Sequence, residues 1–303
     1  MISYLTHEHI DMTRWDECID AAPNGNVYAW SWYLDEVHPE WDAMVEIEGD
    51  KYLTVMPITK KRKYGIPYLC QPFFAQQLGV FSVQPLTQEH VRAFLQAIPK
   101  KFLLVEIRLN EGNLLDTPLK GIENHRNHLL DLNASYDVLL SQFHENTSRN
   151  LKKSLKNHLQ LVKQVPVASV IELFRAHRGA SVKHWGDEEY ARLERLTTRA
   201  ITLSNAFVYG VRTIDNENII CGAVFMKSHH RITFLFSGMN ELGKETGAMT
   251  FLINQVIQAY AGQPLVFDFE GSDDDRLARF YRGFGSVALS YPSFCYRLFN
   301  PLT

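Results

Sequence analysis

Apolar positions along the chain switch between helical and strand spacing. Met12, Trp15, Cys18 and Ile19 share one helical face, and Pro23-Asn24-Gly25 stops it. A short helix is predicted over residues 30–37, ahead of Pro39. Strand-like runs follow at 43–47 and 52–58, with further pieces between Tyr68 and Val83. Thr87 suits the cap of a helix whose apolar face is Val91, Phe94, Leu95 and Ile98, closed by Pro99. Residues 102–107 and 129–132 read as strands.

The second half repeats that order. Residues 136–161 read as helix in two pieces, 167–177 as a second helix and 188–203 as a third. Three strands are predicted at 207–211, 219–226 and 232–236, with polar turns at Asp215-Asn216 and His229-His230. A helix then presents Met249, Leu252, Ile253, Val256, Ile257 and Tyr260. A buried strand at 265–269, a short helix at 273–284 and strand-like runs at 287–291 and 294–299 complete the chain. Each half thus has helices, antiparallel strands, then a helix crossing to a further strand. This predicts a mixed α/β (α+β) fold in two similar domains, 1–130 and 131–303.

Composition narrows the class. At 303 residues the chain has room for two domains, and 46% hydrophobic with 21% charged residues excludes disorder and coiled coil. The net charge of -3 argues against a duplex DNA binder and moves attention to local patches. Cys18, Cys70, Cys221 and Cys295 are far apart, which gives no metal or redox motif and fits a reducing compartment. Residues 1–12 lack a signal-peptide pattern, so the expectation is a cytoplasmic protein. Residues 64–88 carry no charge and are long enough to span a bilayer, but Pro67, Pro72 and Pro85 with five glutamines rule out a transmembrane helix. That stretch reads instead as strands and a pocket wall carrying Gln71, Gln76 and Gln77.

Three stretches offer chemistry. At 242–249, a strand leads into Gly243, Lys244, Glu245, Thr246, Gly247 and Ala248 and then into a helix, whose free N–H groups suit phosphate. The P-loop order is missing, and Gly243 as a turn with Thr246 as a cap explains the same residues. At 267–275, strand alternation puts Asp268 and Glu270 on one face, as fit for general-base work as for backbone capping. Asp273 to Asp275 read as helix caps. At 149–156, Arg149, Lys152, Lys153 and Lys156 share a helix face opposite Leu151, Leu155 and Leu159. That basic face is fit to hold a phosphate-rich ligand or simply to be solvated. His125 and His128 lack partners for a metal set, and no G-x-S-x-G elbow accompanies Ser272.

The run Phe267-Asp268-Phe269-Glu270-Gly271-Ser272, followed by Ala278-Arg279-Phe280-Tyr281-Arg282-Gly283-Phe284-Gly285, resembles the C-terminal end of FemAB-like proteins. Thr246-Gly247-Ala248 and the Ser148-Arg149-Asn150-Leu151-Lys152-Lys153 segment resemble the same family, in the same order. The resemblance covers most of the second half, and the first half matches in element pattern. It implies two tandem GNAT-fold domains of a bacterial acyltransferase, moving an acyl or aminoacyl group from a thioester or ester carrier to a small-molecule or peptide amine in an interdomain cleft. It implies acyl-CoA or aminoacyl-tRNA as donor, tRNA as a candidate partner, and no metal. Phe236, Ser237, Gly238 and Met239 would hold the donor carbonyl, and Lys244, Thr246, Gly247 and Ala248 its phosphates. Asp268 or Glu270 would be the base, and Tyr281 or Tyr291 the proton donor. Gln71, Gln76, Gln77, Arg149, Lys152, Lys153 and Ser272 would contact substrate. A non-catalytic binding protein with the same fold is the other reading.

Overall fold

The computed structural model describes residues 1–115, 120–182, 185–271 and 273–297. In chain order the elements are β1 (Ile2–Leu5), α1 (Met12–Ala21), α2 (Ser31–Val37), β2 (Asp42–Glu48), β3 (Lys51–Ile58), β4 (Lys60–Lys63), β5 (Ile66–Cys70), β6 (Phe81–Ser82), α3 (Gln88–Ala97) and β7 (Leu104–Arg108). Then come β8 (Ile122–Asp131), α4 (Tyr136–Ser141), α5 (Glu145–Lys156), β9 (Leu159–Lys163), α6 (Val167–Ala176), α7 (Asp187–Thr202), β10 (Ala206–Thr213), β11 (Cys221–Ser228) and β12 (Arg231–Met239). The last are α8 (Glu241–Thr246), α9 (Ala248–Tyr260), β13 (Val266–Gly271), α10 (Asp275–Arg282) and β14 (Val287–Arg297).

The chain divides into two compact units. One comprises Met1–Arg126 with the chain from Leu289 on, and the other is Asn127–Ala288. A single cut near residue 130 therefore does not describe the end of the chain. Residues 293–297 of β14 pair antiparallel with β7, Tyr296 opposite Val105 and Phe294 opposite Ile107. That ladder carries the last strand into the first unit.

In the first unit, β1, β2, β3 and β6 form one sheet, and the ladder β4-β5-β7-β14 forms a second set of strands. Strand β4, Lys-Lys-Arg-Lys, is too polar for its sequence to announce a strand. Lys60 reaches the buried carboxylate of Asp42, which also accepts from the Tyr4 hydroxyl, so β4 is tied down by charge. Helix α3 starts as its pattern predicts, with Thr87 Oγ1 accepting from the His90 N–H at 3.2 Å. Its buried face packs Val91, Phe94 and Leu95 against Met56, Val105 and Ile107.

In the second unit the strand order is β8-β13-β12-β11-β10-β9. Among the described residues of this unit only β12 and β13 are parallel, and helix α9 makes the crossover between them. Leu252, Ile253, Val256 and Ile257 of α9 are closed to solvent and pack on Phe225, Ile232 and Phe267. The other face carries α6, which lies where a side chain is missing. A Cβ on Gly238 would meet the Val170 carbonyl at 2.4 Å, and one on Gly222 would meet Val170 Cγ2 at 2.7 Å. The predicted helix over 136–161 ends early. Asn157 and His158 break it, and residues 159–163 become β9, paired with β10. Leu159 is therefore a strand residue and Leu155 is 58% exposed, while the buried face of α5 is Thr147, Leu151 and Ser154. Among the described residues, no helix is long and apolar enough to cross a membrane.

Candidate functional site

The second unit contains a cavity of about 360 Å³ built from β12, α5, the α8–α9 junction and α10. Strand β12 makes room for it. Val224 opposes Phe236 and Phe225 opposes Phe234, so Leu235 has no partner and forms a bulge. The extra residue shifts the side-chain alternation. Before it Phe234, and after it Ser237 and Met239, all face the cavity. Phe236 and Gly238 turn to the other face. The Phe236 ring lies 4.8 Å from Phe174 of α6 and stacks on Trp185 at 5.9 Å, while Gly238 is covered by α6 itself. The side of β12 next to β13 opens at the same point. Their pairing ends at Thr233 opposite Asp268, which leaves residues 234–239 without a ladder partner in β13 among the described residues.

The stretch expected to be a phosphate loop is largely helical. Asn240 caps α8, its Oδ1 accepting from Gly243 N–H at 2.9 Å. Gly243 is not a turn; its missing side chain lets the Ile220 carbonyl and Met239 approach to 2.5 and 2.6 Å of where a Cβ would stand. Thr246 caps nothing either, because its hydroxyl donates back to the Leu242 carbonyl at 2.7 Å. The break comes at Gly247, in the left-handed region at φ 76°, and α9 restarts at Ala248. The N–H groups of that first turn have no carbonyl within the helix and no side-chain cap. Gly247, Met249 and Thr250 all line the cavity. The positive end of α9 is therefore directed into it.

Cations gather at the same place. Among the described residues, Lys153 and Asn150 of α5, Arg178 and Lys244 line the cavity, with Glu245 the one carboxylate. Lys244 also donates to Glu241 at 2.6 Å, and this contact holds the Glu241 carboxyl below its ordinary range. Of the basic face expected on α5, only Lys153 lines the cavity. Lys152 is exposed, and Arg149 turns back to Asn146 at 2.6 Å.

Tyr281 closes the floor. Its ring stacks on Phe269 at 4.8 Å and meets Phe234 edge-on at 6.5 Å. Burial and, after it, the nearby Glu270 push its phenol well above the ordinary 10.0. It is therefore a neutral hydrogen-bond donor at any physiological pH. Glu270 does not follow the strand alternation expected of it. The β13 ladder is irregular between Asp268 and Gly271, and Glu270 sits at φ 63°. Asp268 is fully engaged: it accepts from Arg231 Nη1 at 2.8 Å and from the Glu270 N–H at 2.8 Å, and it is 1% exposed.

The remaining expected residues lie elsewhere or outside the description. Tyr291 belongs to the first unit, buried and stacked on His125 at 5.4 Å. Gln71, Gln76 and Gln77 belong to it too. The Gln71 amide bridges the Ala75 carbonyl and the Arg108 N–H, and Gln77 accepts from Glu111 N–H at 3.0 Å while donating to Gln76. Two of these glutamines therefore hold loops. Ser272 lies outside the described residues. Arg178 and Thr250 carry no site signal in the sequence, and they meet Asn150 at the cavity only through the fold. Among the described residues, no group of His, Cys, Asp and Glu side chains is arranged to hold a metal ion.

The sequence matches no family model and no curated protein. The structure does match solved ones. It is similar to FemX, with a TM-score of 0.65, 11% identity and 96% of each chain covered. It is also similar to a tandem GNAT protein from the clavulanic acid biosynthesis pathway, with a TM-score of 0.52, 10% identity and 97% and 98% of the chains covered. The chain has the tandem GNAT fold. A conserved protein of unknown function from Bacteroides thetaiotaomicron shares it, with a TM-score of 0.57 and 11% identity over 98% and 100% of the two chains.

Proposed function

We propose that the protein is an acyltransferase, moving an acyl or aminoacyl group from a phosphate-bearing thioester or ester carrier to an amine. The observation that carries this reading is one cavity shared by the bulged strand β12, the positive end of α9 and the phenol of Tyr281. The carrier's phosphates would lie over the first turn of α9, beside Lys153 and Lys244. The acyl carbonyl would accept backbone N–H groups from residues 236–239, on the side that β13 leaves open.

The amine nitrogen attacks the acyl carbon and the carbonyl becomes an oxyanion. The amine proton passes to Glu270, directly or through water, since Asp268 has both oxygens occupied. The carbon–sulfur or carbon–oxygen bond breaks, and the leaving thiolate or alkoxide takes the Tyr281 proton. Tyr281 is then restored from Glu270 through solvent, which balances the cycle. Asp268 acts as a positioning residue that fixes the turn presenting Glu270. Acyl-CoA and aminoacyl-tRNA share the recognised chemistry, so both are donors to test.

The test is calorimetric binding of acyl-CoA and of non-hydrolysable aminoacyl-tRNA, followed by mass spectrometry of amine mixtures. Donor binding lost in Gly247→Val and transfer lost in Tyr281→Phe are the expected results. Tight donor binding with no transfer to any amine would replace the enzyme with a binding protein. Indifference to both donors would remove the proposal altogether.

A further inference from the structure

The first unit holds a second cavity, larger than the first at about 610 Å³. That volume falls in the ~300–1,000 Å³ range of small-molecule sites. It opens at the C-terminal end of α3, the opposite end from the one used in the second unit. Helix α3 presents Arg92, Leu95 and Gln96 at i, i+3 and i+4, and stops at Pro99. The cavity lies where the helix stops, against the sheet beyond it. Val105 of β7 with Phe294 and Tyr296 of β14 face that gap, since the three residues share one side of a paired ladder. Ile98 and Phe102 complete an apolar wall.

Among the described residues, the charged lining is Arg92, Lys100 and Lys120, with no Asp or Glu. Arg92 is the informative member. Among the described residues, its Nε is buried and has no hydrogen-bond partner. A guanidinium N–H withdrawn from water without an acceptor is costly, and an anion in the cavity removes that cost. An apolar trough with a cation at its side matches a ligand that is apolar along its length and negative at one end.

We propose that this cavity binds an amphipathic carboxylate, with the alkyl chain along Leu95, Phe102, Val105 and Phe294 and the carboxylate on Arg92, assisted by Lys100. A planar carboxylate fits the guanidinium fork, and a neutral chain of the same length leaves Arg92 as it is. The site is independent of the transferase reading, because none of its residues belongs to the second unit.

Isothermal titration below the micelle concentration tests it, with dodecanoate, dodecanol and dodecyltrimethylammonium as probes on the full chain. Dodecanoate is expected to bind at least about tenfold tighter than dodecanol, and the cationic amphiphile weakest. Arg92→Gln should erase that preference while leaving dodecanol binding unchanged. Gln96→Trp, at an exposed position of the rim, should weaken all chains by filling the trough. Equal binding of acid and alcohol, an Arg92→Gln variant that keeps the preference, or no binding of any probe would each overturn the proposal.

Discussion

Arg231 donates from Nη1 to Asp268 Oδ2 at 2.8 Å, and the carboxylate it holds is almost completely closed to solvent. The second oxygen accepts the Glu270 N–H, two residues on, across the turn where β13 leaves its ladder. The pair therefore fixes the backbone that displays Glu270, rather than offering a second base. Asp268→Asn keeps the acceptor for that N–H but removes the negative charge that faces the guanidinium. Since Arg231 retains some solvent, a loss of about 2–3 kcal/mol is expected. Arg231→Met strands the anion in a drier place and should cost about 3–5 kcal/mol. Urea denaturation measures both. Full stability of Asp268→Asn combined with loss of transfer would instead make Asp268 the base.

Gly247 is the hinge between α8 and α9. A Cβ there would stand in the left-handed region and 3.2 Å from the Asn150 carbonyl of α5. Gly247→Ala is expected to cost about 1–2 kcal/mol, and Gly247→Asn less, because Asn tolerates this conformation better. Donor affinity should fall in the same order, since the first turn of α9 shifts with the hinge. An Ala variant as stable as the wild type would contradict the helix break.

Buried acids of the phenol and thiol type set the alkaline limit. Burial raises Tyr281 above 10.0 and Cys221 above 9.0, and it pushes Cys18 up to about 12. The folded state keeps these protons where the unfolded chain releases them. The stability they contribute is therefore complete below about pH 9 and is lost as pH rises through the raised values. Tyr281→Phe removes one such group, so its stability curve should fall less steeply above pH 10, by up to about 1.4 kcal/mol per pH unit. Its transfer rate should drop about 100-fold at neutral pH for want of the proton donor. An unchanged alkaline slope would mean that the phenol is not held neutral by burial.

Legibility in the sequence followed periodicity. α1, α3, α6 and α9 were readable because each has one apolar stripe at helical spacing, and β10 to β12 because apolar runs end at polar turns. The strand β4 was not, since its cations are satisfied by Asp42, far away in sequence. The donor side was half readable. Gly247 carried a signal, but the bulge at Leu235 did not, because only the register with β11 creates it. That bulge decides that Ser237 and Met239, and not Phe236, face the cavity. Glu270 misled for the same reason: alternation ends where the ladder does. Tyr291 was expected from the resemblance and the glutamines from an uncharged stretch, and neither signal says which unit a strand joins.

The basic face of α5 separates local from global charge. Lys152 and Lys153 are neighbours with the same side chain and exposed stems, yet only Lys153 lines the cavity, next to Asn150 on the flank turned towards Gly247. If the cavity holds a phosphate-bearing carrier, Lys153→Ala removes a charge-assisted contact, an expected loss of about tenfold in donor affinity. Lys152→Ala removes only a distant, screened charge, and affinity should change less than about twofold at 0.15 M salt. The salt dependence of binding should flatten in the first variant and remain in the second. Equal losses in both would mean that α5 acts as a diffuse basic surface, the behaviour expected of a long polyanion such as tRNA lying across it. Unequal losses mean that the phosphate is bound at one point, at the end of α9.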